Sequence, residues 1–189
     1  MDEVRLRRMT VAEFFDWEPG DDRRYELVDG VPVMLARARA AHDQIVVNIL
    51  TELRTKLRGT GYRAFTADIA ILIPNGNVRC PDAGVNQGSL TRGIMHAEAP
   101  CIVFEVLSPS TRNVDLVVKL DEYKTVELLQ HIVLVDPDVP RALQWSRGAD
   151  RAWRHQVLEG LSAAIEFRDP PIILSLSALY ADVDLTPPP

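Results

Sequence analysis

Cys101-Ile102-Val103-Phe104-Glu105-Val106-Leu107 is the most apolar run in the middle of the chain, and it stops abruptly at Ser108-Pro109-Ser110-Thr111. Its length and β-branched content suit a strand covered on both faces, because a half-exposed strand would alternate polar and apolar side chains. A helix is expected next, from about Asn113 to Leu129, and then a second buried strand, Ile132-Val133-Leu134-Val135-Asp136. Strand, helix and strand within ~35 residues make a βαβ crossover, so these two strands should lie parallel. The expected class is α/β (mixed α+β): a mixed sheet with helices packed on it.

Upstream, Thr10-Val11-Ala12-Glu13 fits a helix-capping box, with Val11, Phe14 and Phe15 forming an apolar side. In Tyr25-Glu26-Leu27-Val28-Asp29-Gly30-Val31-Pro32-Val33-Met34, an Asp-Gly pair between two β-prone runs predicts a hairpin, since both turn positions tolerate positive φ. Ile45, Ile49, Leu53 and Leu57 recur at steps of four, which predicts a helix over about 41–57 with its stripe on the core and Gly59 and Gly61 at its end. Strands are expected at 62–65, 68–73 and 78–85, the last two joined by a turn at Pro74-Asn75-Gly76-Asn77. Residues 86–100 read as a surface loop. From Arg141 to Phe167 the pattern alternates as in further antiparallel strands, with a turn at Gly148-Ala149-Asp150, and Thr186-Pro187-Pro188-Pro189 reads as a loose tail.

The chain's 189 residues are expected to make one domain. No apolar run approaches the ~18–20 residues of a membrane span, and the start, Met1-Asp2-Glu3-Val4-Arg5, lacks the apolar stretch of a secretory signal. Cys80 and Cys101 show no paired spacing of the zinc-site kind and read as buried free thiols, so a cytoplasmic location is expected. A net charge of −6 argues against a uniformly basic surface. Arginines nevertheless cluster at Arg5-Leu6-Arg7-Arg8, Arg23-Arg24, Arg37-Ala38-Arg39 and between Arg147 and Arg154, either as solvated faces or as a local basic groove.

The chemical anomaly is Glu105, a carboxylate between Phe104 and Val106 in the most apolar strand. Burying it costs several kcal/mol unless a partner, hydrogen bonds or a metal ion compensates. Asp82, after Pro81, is either a strand-terminal carboxylate or an ordinary turn aspartate. Asp115, Lys119 and Tyr123 recur at steps of four and line one face of the helix that follows Glu105, as a solvated face or as part of a site. Magnesium chemistry on phosphodiesters needs acidic oxygen ligands, a group that orients water and a cation near the developing charge. Asp82 and Glu105 can supply the first, and Lys119 the last.

Tyr25-Glu26-Leu27-Val28-Asp29-Gly30, His42, Cys80-Pro81-Asp82, Val103-Phe104-Glu105-Val106-Leu107-Ser108-Pro109-Ser110-Thr111, Asp115, Lys119, Tyr123 and Val133-Leu134-Val135-Asp136-Pro137 occur in the order found in the Uma-type endonucleases. This family is a bacterial branch of the PD-(D/E)XK nuclease superfamily with the restriction-endonuclease-like fold, and the resemblance covers roughly residues 9 to 180. It implies that Asp82 and Glu105 are the two acidic residues of the motif. It also implies that the motif's lysine, absent at Leu107, has moved to Lys119. Glu26 matches an acidic residue on an early element, as a further ligand or an exposed hairpin glutamate. His42 matches a recurrent histidine, here given a packing or helix-end role. Around 126–131 the chain departs from the family pattern.

The implied activity is that of a Mg²⁺-dependent (or Mn²⁺-dependent) endodeoxyribonuclease. Asp82, Glu105 and the Val106 carbonyl would hold the metal, Lys119 would orient water or offset charge, and DNA would be the substrate of a possible homodimer. Two alternatives stay open: a catalytically inactive binding module of the same fold, and a metal-dependent hydrolase of another substrate.

Overall fold

The computed structural model describes residues 8–36, 38–107 and 115–186. The chain opens on α1 (Val11–Phe15), whose capping box is formed as expected: the Thr10 hydroxyl accepts from the Glu13 N–H and the Glu13 carboxylate accepts from the Thr10 N–H. The hairpin β1 (Tyr25–Val28) and β2 (Val31–Met34) turns at Asp29 and Gly30, both at positive φ (49° and 77°). This is the backbone twist that a two-residue hairpin demands. Next comes α2 (Ala40–Lys56), with Ile45, Ile49 and Leu53 buried.

The structure departs from expectation between residues 68 and 87. The run at 68–73 contributes only the short β4 (Ile71–Leu72), after β3 (Tyr62–Thr66). The stretch 78–85 is two strands: β5 (Val78–Arg79) lies beside β1 in a four-stranded sheet of order β2-β1-β5-β4, whereas β6 (Ala83–Gln87) belongs to the main sheet. Pro81 sits at the switch. Proline has no N–H to give a ladder, so the chain leaves one sheet there and enters the other at Asp82.

The main sheet has six strands in the order β10-β9-β8-β7-β6-β3, where β7 is Pro100–Val106, β8 His131–Asp136, β9 Arg141–Arg147 and β10 Trp153–Glu159. As expected, β7 and β8 are parallel, with Glu105 beside Leu134, and the other neighbours are antiparallel. The crossover helix α3 (Asp115–Thr125) ends four residues earlier than its apolar pattern suggested. Val126 and Leu129 are buried all the same, in tightened turns in which the N–H of Val126 reaches Tyr123 O and that of Leu129 reaches Val126 O. A small pair, β11 (Ala164–Glu166) and β12 (Ile173–Ser175), and α4 (Leu176–Leu179) close the described chain. The residues expected as a loop at 86–100 are shortened at both ends by β6 and β7. The tail residues 187–189 lie outside the described residues.

β7 is buried along its whole length and serves two cores. Ile102, Phe104 and Val106 pack with Ile45, Ile49 and Leu53 of α2, while Val103 faces Tyr123 and Leu129 on the α3 side. Side chains alternate across a strand, so Glu105 points to the α3 side with Val103. No helix among the described residues is long and apolar enough to cross a membrane.

Gly84 pairs with Phe65 across β6 and β3, and a Cβ at Gly84 would lie 2.1 Å from Phe65 Cζ. The ring lies over the strand that Asp82 opens. Gly84→Ala is therefore expected to lower stability by about 1–3 kcal/mol in urea denaturation, because the buried ring must shift. In a Phe65→Ala background the same change should cost much less. Equal costs in the two backgrounds would show that the contact does not set the strand's tolerance.

Candidate active site

The sheet switch at Pro81 and the crossover at α3 bring the site together. In the antiparallel register Ala83 faces Phe104, so Asp82 lies across from Glu105. The Val106 N–H donates to Asp82 Oδ2 at 2.7 Å. An extended residue points its N–H and C=O to the same side, so the Val106 carbonyl is also directed toward Asp82. From α3, Lys119 Nζ lies 2.9 Å from Glu26 Oε1 and 3.9 Å from Glu105 Oε1, and the Tyr123 hydroxyl donates to Glu105 Oε1 at 2.7 Å. Asp82, Glu105, Lys119, Glu26 and Val106 thus gather in one place. The solvated-face reading of Lys119 and Tyr123 is ruled out by their burial, as is the exposed-hairpin reading of Glu26, which is 2% exposed. Nothing is described of the Asp115 side chain.

Glu26 is held through both of its oxygens. Its Oε1 accepts from Lys119 and from the Cys80 N–H at 3.0 Å, and its Oε2 accepts from Arg79 Nη1 at 2.9 Å. Arg79 continues the chain: its Nε donates to Glu122 Oε2, and Glu122 Oε1 accepts from Asn77 and Asn75. Burial alone would disfavour the Arg79 charge, but Glu122 and Glu26 outweigh it and hold the guanidinium more firmly protonated than usual. Burial likewise opposes Glu122 ionisation, yet Arg79, Asn77 and Asn75 keep its carboxyl below the ordinary range. At the other end His42 Nε2 sits 3.2 Å from Asp82 Oδ2. Burial works against the His42 charge, but Asp82, then Glu105 and Asp43, raise its pKa overall, so it shares in the site beyond a packing or helix-end role. The His42 Nδ1 is buried without a hydrogen-bond partner among the described residues.

Glu105 carries the strain of the arrangement. Burial pushes its carboxyl well above the usual carboxylate range, and Asp82 and Glu26 push in the same direction, against Lys119 and Tyr123. Among the described residues four carboxylates (Glu26, Asp82, Glu105 and Glu122) face two permanent cations (Arg79 and Lys119), which leaves the cluster short of positive charge. Asp82 Oδ1 and Glu105 Oε2 accept no hydrogen bond from any described residue. No three His, Cys, Asp or Glu among the described residues converge closely enough to cage a metal by themselves. The donors that fit a hard divalent cation are therefore one oxygen from each of two carboxylates and a main-chain carbonyl, with the remaining positions open to water and phosphate oxygens, as Mg²⁺ prefers.

Two members of this cluster, Arg79 and Glu122, are not distinguishable in the sequence from ordinary strand and helix residues. The one signal for Arg79 is a cation in a β-prone triplet two positions before Pro81-Asp82, in a region where carboxylates outnumber lysines. Cys80 keeps its thiol in this environment, its pKa pushed up to about 12 by burial and by Glu26.

Removing Arg79 would leave Glu26 and Glu122 buried without their shared cation. Arg79→Met is expected to destabilise the chain by roughly 3–5 kcal/mol in urea unfolding. Adding Glu122→Gln should recover part of that loss. A loss below about 1 kcal/mol would mean that water reaches these groups and that the chain of charges is not a structural unit.

Comparisons with known proteins bear on the family and the fold. Residues 11–177 match the family model Uma2, described as "Putative restriction endonuclease". Two proteins of Synechocystis sp. are each 28% identical: sll1609 over 84% of this chain and 92% of its own length, and slr1290 over 77% and 78%. The crystal structure of "a putative nuclease belonging to DUF820" from Anabaena variabilis superposes with a TM-score of 0.73 at 17% identity, covering 92% of this chain and 98% of the other, and so shares the fold. The chain belongs to the Uma2 family and is nuclease-like in family and in fold.

Proposed function

We propose that this chain is a metal-dependent endodeoxyribonuclease of the PD-(D/E)XK type, hydrolysing phosphodiester bonds with Mg²⁺ or Mn²⁺. The observation that carries the reading is Lys119 Nζ held 2.9 Å from Glu26 and 3.9 Å from Glu105, beside the facing carboxylates of Asp82 and Glu105. Asp82, Glu105 and the Val106 carbonyl would hold the ion. When bound, it supplies positive charge to the reacting phosphate and lowers the pKa of water.

The chain's own groups do the positioning. Tyr123 fixes Glu105 Oε1, which leaves Oε2 to face the ligand. The Val106 N–H and His42 fix Asp82 Oδ2, which leaves Oδ1. Glu26 accepts from Lys119, the Cys80 N–H and Arg79, so its part is to aim Lys119, and Arg79 anchors Glu26 in turn. Lys119 then orients the attacking water or donates to a non-bridging phosphate oxygen, where negative charge grows in the transition state. Two chains side by side would extend the groove offered to a duplex.

The test combines calorimetry and cleavage. Mn²⁺ binding should be lost or much weakened in Asp82→Asn and Glu105→Gln and retained in Lys119→Ala. All three should cut plasmid DNA roughly 10²-fold or more slowly than the wild type in Mg²⁺. Metal binding without cleavage of any DNA would move the reading to a hydrolase of another substrate. Absence of both would move it to a binding module.

A further inference from the structure

We propose that arginines at the two ends of α2, which pair with no carboxylate among the described residues, are phosphate contacts, and that a nucleic-acid backbone engaged at the Asp82–Glu105 centre runs along this helix. The proposal rests on the nuclease reading for its starting point, but the arginines are an independent observation.

With 27 acidic and 21 basic residues, the chain has carboxylates enough to pair every surface arginine. Many are paired: Arg141 with Glu159, Arg151 with Glu127 and Arg154 with Asp150. Arg24, Arg39, Arg54 and Arg58 make no ion pair and no side-chain hydrogen bond among the described residues, and Arg63 gives only one, from Nη1 to the Tyr62 carbonyl. Arg8, Arg92 and Arg168 are likewise without an ion pair among the described residues and lie apart, but the first five fall into two groups. Arg54, Arg58 and Arg63 line one cleft of about 270 Å³, and no carboxylate shares its lining. Tyr62, also in that lining, donates its hydroxyl to Asp169 and so occupies the one acid it reaches. Arg24 and Arg39 line a larger cleft of about 740 Å³ with Arg23, tempered by Asp22 and Asp43.

Helix electrostatics explain little of this. A cation in the last turn of α2 offsets the negative end of its dipole, which accounts for Arg54. Arg58 lies beyond the helix and Arg63 is on β3, so neither is there to complete a cap. What the three share is the cleft. Planar guanidinium groups without carboxylate partners are suited to phosphate oxygens, which they bind in bidentate fashion.

The two clefts are joined by one rigid element. Arg39 and Arg54 are fifteen residues apart, hence ~22 Å along the axis and only about 60° apart around it. That span equals roughly six to seven base pairs of B-form duplex at 3.4 Å each. The Arg39 end adjoins the catalytic centre, because Arg39, Ala40 and Asp43 bracket His42, which holds Asp82. A strand cut at the centre would therefore meet the Arg54 cleft roughly half a helical turn away.

Arg54 and Arg58 are exposed, so their replacement should leave the fold intact. The measurement is fluorescence anisotropy of a labelled duplex of about 20 base pairs, with the full chain in Ca²⁺, across a salt series. Arg54→Gln/Arg58→Gln should weaken binding roughly tenfold and flatten the salt dependence by about two phosphate contacts, regardless of sequence. Arg54→Lys/Arg58→Lys should restore the salt slope. Hydrolysis of bis(p-nitrophenyl) phosphate, too short to reach the cleft, should be unchanged. An unaltered affinity or slope in the glutamine pair, a parallel loss on the small substrate, or no duplex binding by the wild type would each overturn the proposal. Duplex binding that depends on the arginines, without hydrolysis of either substrate by the wild type, would uphold the phosphate track and remove the nuclease reading.

Discussion

A carboxylate in the middle of a sheet cannot be left to itself. Moving such an ion from water to a dry interior carries an effective cost of several kcal/mol after relaxation, and Glu105 sits on a strand that is buried from end to end. Much of the surrounding architecture answers that constraint. Tyr123 and Lys119 come to it from α3, Lys119 is shared with Glu26 from the hairpin, and Glu26 needs Arg79 from the small sheet. Arg79 in turn leans on Glu122, which returns the chain of charges to α3. The small sheet, the main sheet and the crossover helix are thus fastened by the same set of ions. A pair broken anywhere would strand a charge elsewhere.

The fold was largely legible because its main signals are local. The hairpin turn needed only Asp29-Gly30, α2 only the four-residue spacing of Ile45, Ile49 and Leu53, and the parallel pair only two apolar runs separated by a helix. The errors arose where a long-range contact decides. Residues 78–85 have one β-prone composition, yet the partners of Val78 and Ala83 lie in different sheets, and only tertiary pairing separates them. At the end of α3, Val126 and Leu129 kept the apolar spacing of a helix because they are buried, and burial does not require helical dihedrals.

The site divides in the same way. Glu105 could be found from its apolar neighbours, and Asp82, Lys119 and Glu26 from the order of motifs. Arg79 and Glu122 could not, since a charged residue in a short strand or on a helix is by default solvated, and nothing nearby in sequence marks them as buried. The part His42 takes is not visible in its sequence neighbours, because it depends on Asp82, forty positions away. The net charge of −6 is also a poor guide to the surface. It averages a carboxylate-rich interior cluster with paired and unpaired arginines outside, and a partner responds to the local field, not to the sum.

The distances in sequence spanned by the charge network bear on when the chain assembles it. Glu26 and Lys119 are 93 positions apart, and Arg79 and Glu122 are 43 apart. During synthesis the hairpin and α2 emerge long before α3, so Glu26 must wait in water or in a loose state until its cations arrive. Closing such long loops is slow, and the charges reward it only when all are present. The ribosome-bound chain therefore holds its acidic residues apart until most of its length has emerged. A nascent fragment ending before α3 lacks Lys119 and Glu122, so the charge network comes into being in one late, cooperative step.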